Sequence, residues 1–374
     1  MKLTIFTLAL VLTAAPAYAQ LGGLGKTLGK ANDAANKAQK LKDLKISDAD
    51  ERKIGEQVSE KVRTEFGVFQ DKAVTKYVSL VGMALAKAST RPDLKWEFIV
   101  LDTDGVNAFA SPGGLVHITR GALGLIKSEA ELAGVLGHEV AHITRKHTIN
   151  AIQKNNAFEL TAEMAPGSNA FIEGFANAAY DNIVEKGFDR GDEEDADAVG
   201  IKLANSVAYN PGGLGAFLTK LADRNKSQTK ERNGLFASHP ETSGRIDKLN
   251  RLIKSEKLTG TAMVAGRYAA AITFDAKPLS DVATVMAGTK GVAGGGKEEK
   301  AAEPKPEEKP KKGFGIGSLS LSKGKQAEST QASASAGNRA VGTDRAAKGG
   351  SNPSKLALPA ITPAELAAFK KGIA

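Results

Sequence analysis

Residues 128–149 read SEAELAGVLGHEVAHITRKHTI, and the run His138-Glu139-Val140-Ala141-His142 inside them decides how the rest of the chain is read. The pattern predicts a helix from Ser128 to about Ile149, with Glu129 and Glu131 near its positive end and Arg145, Lys146 and His147 near its last turns. Two histidines four residues apart lie on one face of a helix, so both imidazoles can reach one zinc ion. Glu139 follows the first of them, where its carboxylate can meet a water at that site. Leu132, Val135, Leu136 and Val140 supply the apolar surface that a buried helix needs. His147 is five residues beyond His142, about 140° further round an unbroken helix, and is not expected to share the metal.

Two histidines leave zinc short of a third protein ligand. The chain has no cysteine, so nitrogen and oxygen donors must suffice. The acidic run Asp192-Glu193-Glu194-Asp195-Ala196-Asp197 is the source the sequence offers. Glu193 and Asp197 share one face of a predicted helix over 193–208, so Glu193 can bind zinc while Asp197 accepts the N–H of a ligand histidine. Asp195 points the opposite way, and Asp192 suits a solvated helix start. Glu194 is three residues from Asp197, so spacing leaves Glu193 and Glu194 both open.

These motifs, with Ser238-His239-Pro240 and Arg245 downstream, resemble those of the HtpX/CAAX-prenyl-protease/BepA-like family of zinc metalloendopeptidases. Asn107-Ala108-Phe109-Ala110, Pro112-Gly113-Gly114 and Glu129-Ala130-Glu131-Leu132-Ala133 match the family's upstream pattern, and the resemblance runs from about Ile46 to Ile253. It implies an α+β, mostly helical, zincin-like domain with a small sheet and one Zn2+ per chain. It selects Glu193 as third ligand beside His138 and His142, with Asp197 behind them. It makes Glu139 the general base and places His239 near the zinc, as a cap or an oxyanion stabiliser. It also marks Asn107, Ala108, Phe109 and Ala110 as an edge strand onto which an extended substrate can add. The substrates it implies are unfolded or misassembled envelope proteins. The absence of membrane helices points to the soluble periplasmic branch, and BepA's helical-repeat extension is missing. A non-catalytic, metal-containing chaperone or adaptor of the envelope is the competing reading, against which the retained Glu139 speaks.

Outward from this centre, the 46–275 stretch carries the folded unit. Helices are expected after Ser47, over 71–88, 157–185, 213–223 and 244–256. A strand is expected over 96–101, and a second extended segment over 107–119 is interrupted by Pro112-Gly113-Gly114. His117 in that segment reads as structural. The composition of the 374 residues, 41% hydrophobic and 25% charged, excludes wholesale disorder. The net charge of +9 is uneven: residues 20–45 carry +4, residues 276–374 carry +7 and Lys2 adds one, leaving 46–275 at −3. A slightly acidic centre argues against a nucleic-acid-binding fold.

The flanks read differently. Met1-Lys2, the apolar run Leu3–Ala15 and Pro16-Ala17-Tyr18-Ala19 form a signal peptide over 1–19, cleaved after Ala19, which predicts a periplasmic protein. Without cysteine the chain is not a lipoprotein. No other run spans a bilayer, Thr261–Phe274 being broken by Arg267. Residues 20–45 form a basic flexible leader, and 276–374 a low-complexity tail too poor in apolar residues to fold. At its end Thr362-Pro363-Ala364-Glu365 has the spacing of a capping box before Leu366 and Phe369. The basic flanks can touch anionic envelope surfaces, although solvated tails are the simpler reading.

Overall fold

Asp71 shows how local chemistry starts these helices: its carboxylate accepts from the backbone N–H groups of Ala73 and Val74, donors that have no partner inside the first turn. It opens α2 (Lys72–Ala86), as Ser47 opens α1 (Asp48–Phe66) by accepting from Asp50 N. Three strands follow: β1 (Glu97–Leu101), β2 (Ala108–Ser111) and β3 (Leu115–Thr119). Next come α3 (Arg120–Leu125), α4 (Glu129–Thr144), α5 (His147–Lys154) and α6 (Asn169–Tyr180), the last continuing into a π-helical turn over Asp181–Lys186. The remaining helices are α7 (Arg190–Ser206), α8 (Gly213–Asn225), α9 (Thr242–Ser255), α10 (Ala265–Ala271) and α11 (Pro363–Lys371). This computed structural model describes residues 44–154, 165–225, 239, 242–278, 282 and 356–373. The signal peptide, most of the 20–45 leader, Ser238, Pro240 and most of the 276–374 tail lie outside the described residues. Among the described residues, no helix is long and apolar enough to cross a membrane.

The sheet has the order β1-β3-β2, with β1 parallel and β2 antiparallel to β3. The expected segment over 107–119 is thus a hairpin, turning at Gly113 and Gly114 with φ of 73° and 97°. A Cβ on Gly113 would stand 2.5 Å from Arg52 Cα, so the turn needs glycine for space as well as conformation. Both faces are covered. Phe98, Val100, Val116 and Ile118 pack with α2, α4 and α8, while Ile99, Leu101, Phe109 and Leu115 pack with α1 and α6. Each such side chain contributes roughly 1.5–3 kcal/mol by leaving water. β2 is an edge strand and lies against α4 and the π-helical turn.

α4 is buried along its length, from Glu129 to Ile143. It crosses α7 at two glycines, and a Cβ on Gly137 would stand 2.8 Å from Gly200 O. Only bare backbone lets the helices come this close.

The expected single helix over 128–149 is two helices. α4 ends at Thr144 and α5 starts at His147 because Lys146 takes a left-handed conformation, φ 57°. That conformation is costly for a lysine. It is held by an ion pair from Lys146 Nζ to Glu51 Oε2 at 2.9 Å, the glutamate being buried on α1. The helix expected from Glu193 starts earlier, at Arg190, because Asp189 caps it by accepting from Asp192 N. Of the stretch 157–185, residues up to 164 lie outside the described residues, and the rest forms α6, capped by Ser168, and the π-helical turn.

Candidate metal centre

α4 carries His138 and His142 one turn apart, and the first turns of α7 bring Glu193 across from them. His239 closes the group, all four residues being buried. His138 Nε2 is 3.0 Å from His142 Nε2 and 3.2 Å from His239 Nδ1. Glu193 Oε1 is 2.7 Å from His239 Nδ1 and 3.4 Å from His142 Nε2. Four donors bound tetrahedrally to zinc at 2.0–2.1 Å would stand about 3.3 Å apart. Three imidazole nitrogens and a carboxylate oxygen at these separations therefore fit zinc in both chemistry and size.

Behind the donors, Asp197 Oδ1 lies 3.0 Å from His138 Nδ1. Arg245 on α9 grips two carboxylates of α7, Glu193 and Asp197. Its Nε and Nη2 donate to Asp197 at 2.8 and 2.6 Å, and its Nη1 pairs with Glu193 Oε2 at 2.8 Å. The Arg245 charge and His138 hold the Asp197 carboxyl down to about 2, although burial, the largest influence, pushes the other way. Burial would likewise raise Glu193, but His239, His138 and Arg245 together keep it well below the usual carboxylate range. Glu194, which spacing could not distinguish from Glu193, instead pairs with Arg190 and Lys248 outside the cluster.

Glu139 is buried beside the donors, its Oε1 3.8 Å from His239 Nε2. Neither carboxylate oxygen has a hydrogen-bond partner among the described residues. Burial raises its proton affinity, with His239 and His138 partly opposing. A buried, unpartnered carboxylate of raised basicity is suited to accepting a proton from a molecule that enters the site.

Asn107 leads into β2, its side chain accepting from Ala108 N, and Ala108, Phe109 and Ala110 form the edge strand beside α4. His117 stands apart from the centre, buried and hydrogen-bonded to Ser59 Oγ at 2.8 Å. Two residues that sequence reasoning left aside do reach the centre. The Phe188 ring stacks on His142 with centroids 3.9 Å apart, and His147 Nδ1 lies 3.0 Å from His142 Nδ1. Nothing in the local sequence marked Phe188. His147 was hidden by the assumption that its helix ran unbroken.

Residues 72–253 match the model of Peptidase family M48. The β-barrel assembly-enhancing protease of Yersinia pestis is 27% identical over 214 residues, 54% of this chain and 43% of that protein. The mitochondrial metalloendopeptidase OMA1 of Schizosaccharomyces pombe is 27% identical over 202 residues, 53% of this chain and 60% of that protein. That of Arabidopsis thaliana is 31% identical over 144 residues, 38% of this chain and 29% of that protein. The chain thus spans between 29% and 60% of the length of these curated relatives.

Proposed function

We propose, from the match of residues 72–253 to the model of Peptidase family M48, that the chain is a zinc metalloendopeptidase that cuts unfolded or misassembled proteins of the cell envelope. The carrying observation is the convergence of His138, His142 and Glu193 beside the unpartnered carboxylate of Glu139. A zinc ion there supplies a Lewis acid for the scissile carbonyl and makes a nearby water easier to deprotonate. Glu139 takes the proton from the attacking water and returns it to the leaving amine, a role its raised basicity suits. Asp197 and Arg245 keep His138 and Glu193 in place.

His239 acts as a reversible fourth ligand that quiets the resting enzyme, a reading supported by its Nδ1 lying among the other three donors. β2 is the edge strand of the sheet, and an extended peptide that adds to it once α4 and the π-helical turn give way would favour unfolded chains or loops over compact substrates. The name of one relative, a β-barrel assembly-enhancing protease, agrees with a quality-control role in the envelope, and that of the other, a metalloendopeptidase, with the reaction. Residues 1–19 support export to the periplasm as a cleaved signal peptide.

The test is digestion of casein by the zinc-loaded protein from Gln20 beside a Glu139→Gln variant of matched zinc content. Cleavage by the parent, lowered at least 100-fold in the variant, is expected. Zinc bound by both with cleavage by neither, even after His239→Ala, would instead favour a metal-containing chaperone or adaptor.

A further inference from the structure

His142 is fully buried and has two faces to satisfy. Its Nε2 joins the donor cluster, so when that lone pair is given to a metal the neutral imidazole carries its proton on Nδ1. That Nδ1–H meets His147 Nδ1 at 3.0 Å. With its Nδ1 accepting, His147 carries its own proton on Nε2, which lies 3.2 Å from Asp195 Oδ2 and 3.8 Å from Asp192 Oδ1. Asp195 is itself held by Arg145, whose Nε and Nη2 each donate at 2.8 Å. With the His142 Nε2 lone pair kept for a metal and His147 neutral, the contacts are met when His142 donates to His147 and His147 donates to Asp195.

The backbone is built for this contact. On an unbroken helix His147 would face away from His142, but the left-handed Lys146 turns the chain and brings the two rings to 4.9 Å between centroids. The other helix ligand is supported differently, with Asp197 directly behind His138. We propose that His147 is the positioning residue for His142, fixing its tautomer and ring orientation so that Nε2 presents its lone pair to the metal, with Asp195 completing the relay. This rests on the zinc-peptidase reading above. Partners of this kind typically change metal affinity by roughly 10- to 100-fold when removed.

The experiment measures zinc affinity by competition with a chromophoric chelator, alongside melting of the metal-free protein. His147→Phe keeps a ring but removes the acceptor, and zinc binding should weaken roughly 10- to 100-fold. His147→Asn places an amide oxygen near the Nδ1 position and should recover most of that loss. A merely structural role would lower the melting temperature of both variants and leave zinc affinity alone. Asp195→Ala, at a partly exposed position that folding should tolerate, should weaken zinc by a smaller factor, roughly 3- to 10-fold. Parent-like zinc affinity in His147→Phe, with the parent binding tightly and cutting casein, would overturn the inference and leave the peptidase reading intact. A parent that binds no zinc would overturn both.

Discussion

Gly200 on α7 lies against the backbone of His138 on α4, so closely that a Cβ on it would stand 2.7 Å from His138 N. The contact sets the distance between the helix that carries two candidate ligands and the helix that carries the third. Gly200→Ala should therefore force the helices apart and cost about 1–3 kcal/mol in urea denaturation of the metal-free protein. Zinc affinity should fall with it, because Glu193 moves with α7. Gly215→Ala is the control, since a Cβ there meets nothing within 4 Å. It should be neutral or slightly stabilising through helix propensity. Equal behaviour of the two variants would remove Gly200 from the argument.

The start of α4 depends on a second long-range pair. Glu129 reads in sequence as a carboxylate near the positive end of a helix, but it is fully buried. It accepts from Tyr77 Oη and Tyr209 Oη at 2.8 Å each and pairs with the Arg267 guanidinium, whose Nη2 donates at 2.6 Å. Arg267 also stacks its guanidinium over the Phe369 ring of α11, 4.1 Å from the centroid. Arg267→Ala would strand a buried charge, and a loss of about 3–5 kcal/mol is expected by chemical denaturation. Adding Glu129→Gln should recover part of that loss, because the neutral amide still meets the tyrosines. Additive losses in the double variant would show that the charge pair is not what the single variant breaks.

These pairs mark where sequence reading stops. The spacing of His138 and His142, the carboxylates of 192–197 and the short apolar run of β1 are local patterns, and local patterns survive into the fold. Spacing alone left Glu193 and Glu194 open, because what separates them lies on other elements: Lys248 and Arg190 draw Glu194 outward while His239 and Arg245 receive Glu193. The break at Lys146 was illegible for the same reason: its stabilising partner, Glu51, sits on α1. Phe188 and Arg267 act on residues far away in sequence, and periodicity carries no information about such pairs.

His117 makes stability depend on pH outside the candidate site. It is fully buried, and burial, with the Arg63 charge adding to it, drops its pKa to about 3 from an ordinary 6.5. The unfolded chain then binds a proton near pH 6.5 that the folded chain refuses until about pH 3. Below 6.5 the unfolded state is favoured, so this residue contributes a loss of stability as pH falls across that window and none above it. By pH 4.5 the loss should reach about 3 kcal/mol, two pH units below the ordinary value at 1.36 kcal/mol each. Replacing the ring by a neutral amide in His117→Gln removes the titration while keeping a group that can meet Ser59. Urea denaturation of the metal-free parent and variant at pH 7.5 and 4.5 isolates the effect, because every other titrating group is shared. The parent should lose about 3 kcal/mol more than the variant between the two pH values. Equal losses would mean that His117 is protonated in the folded protein or leaves its buried position before pH 4.5.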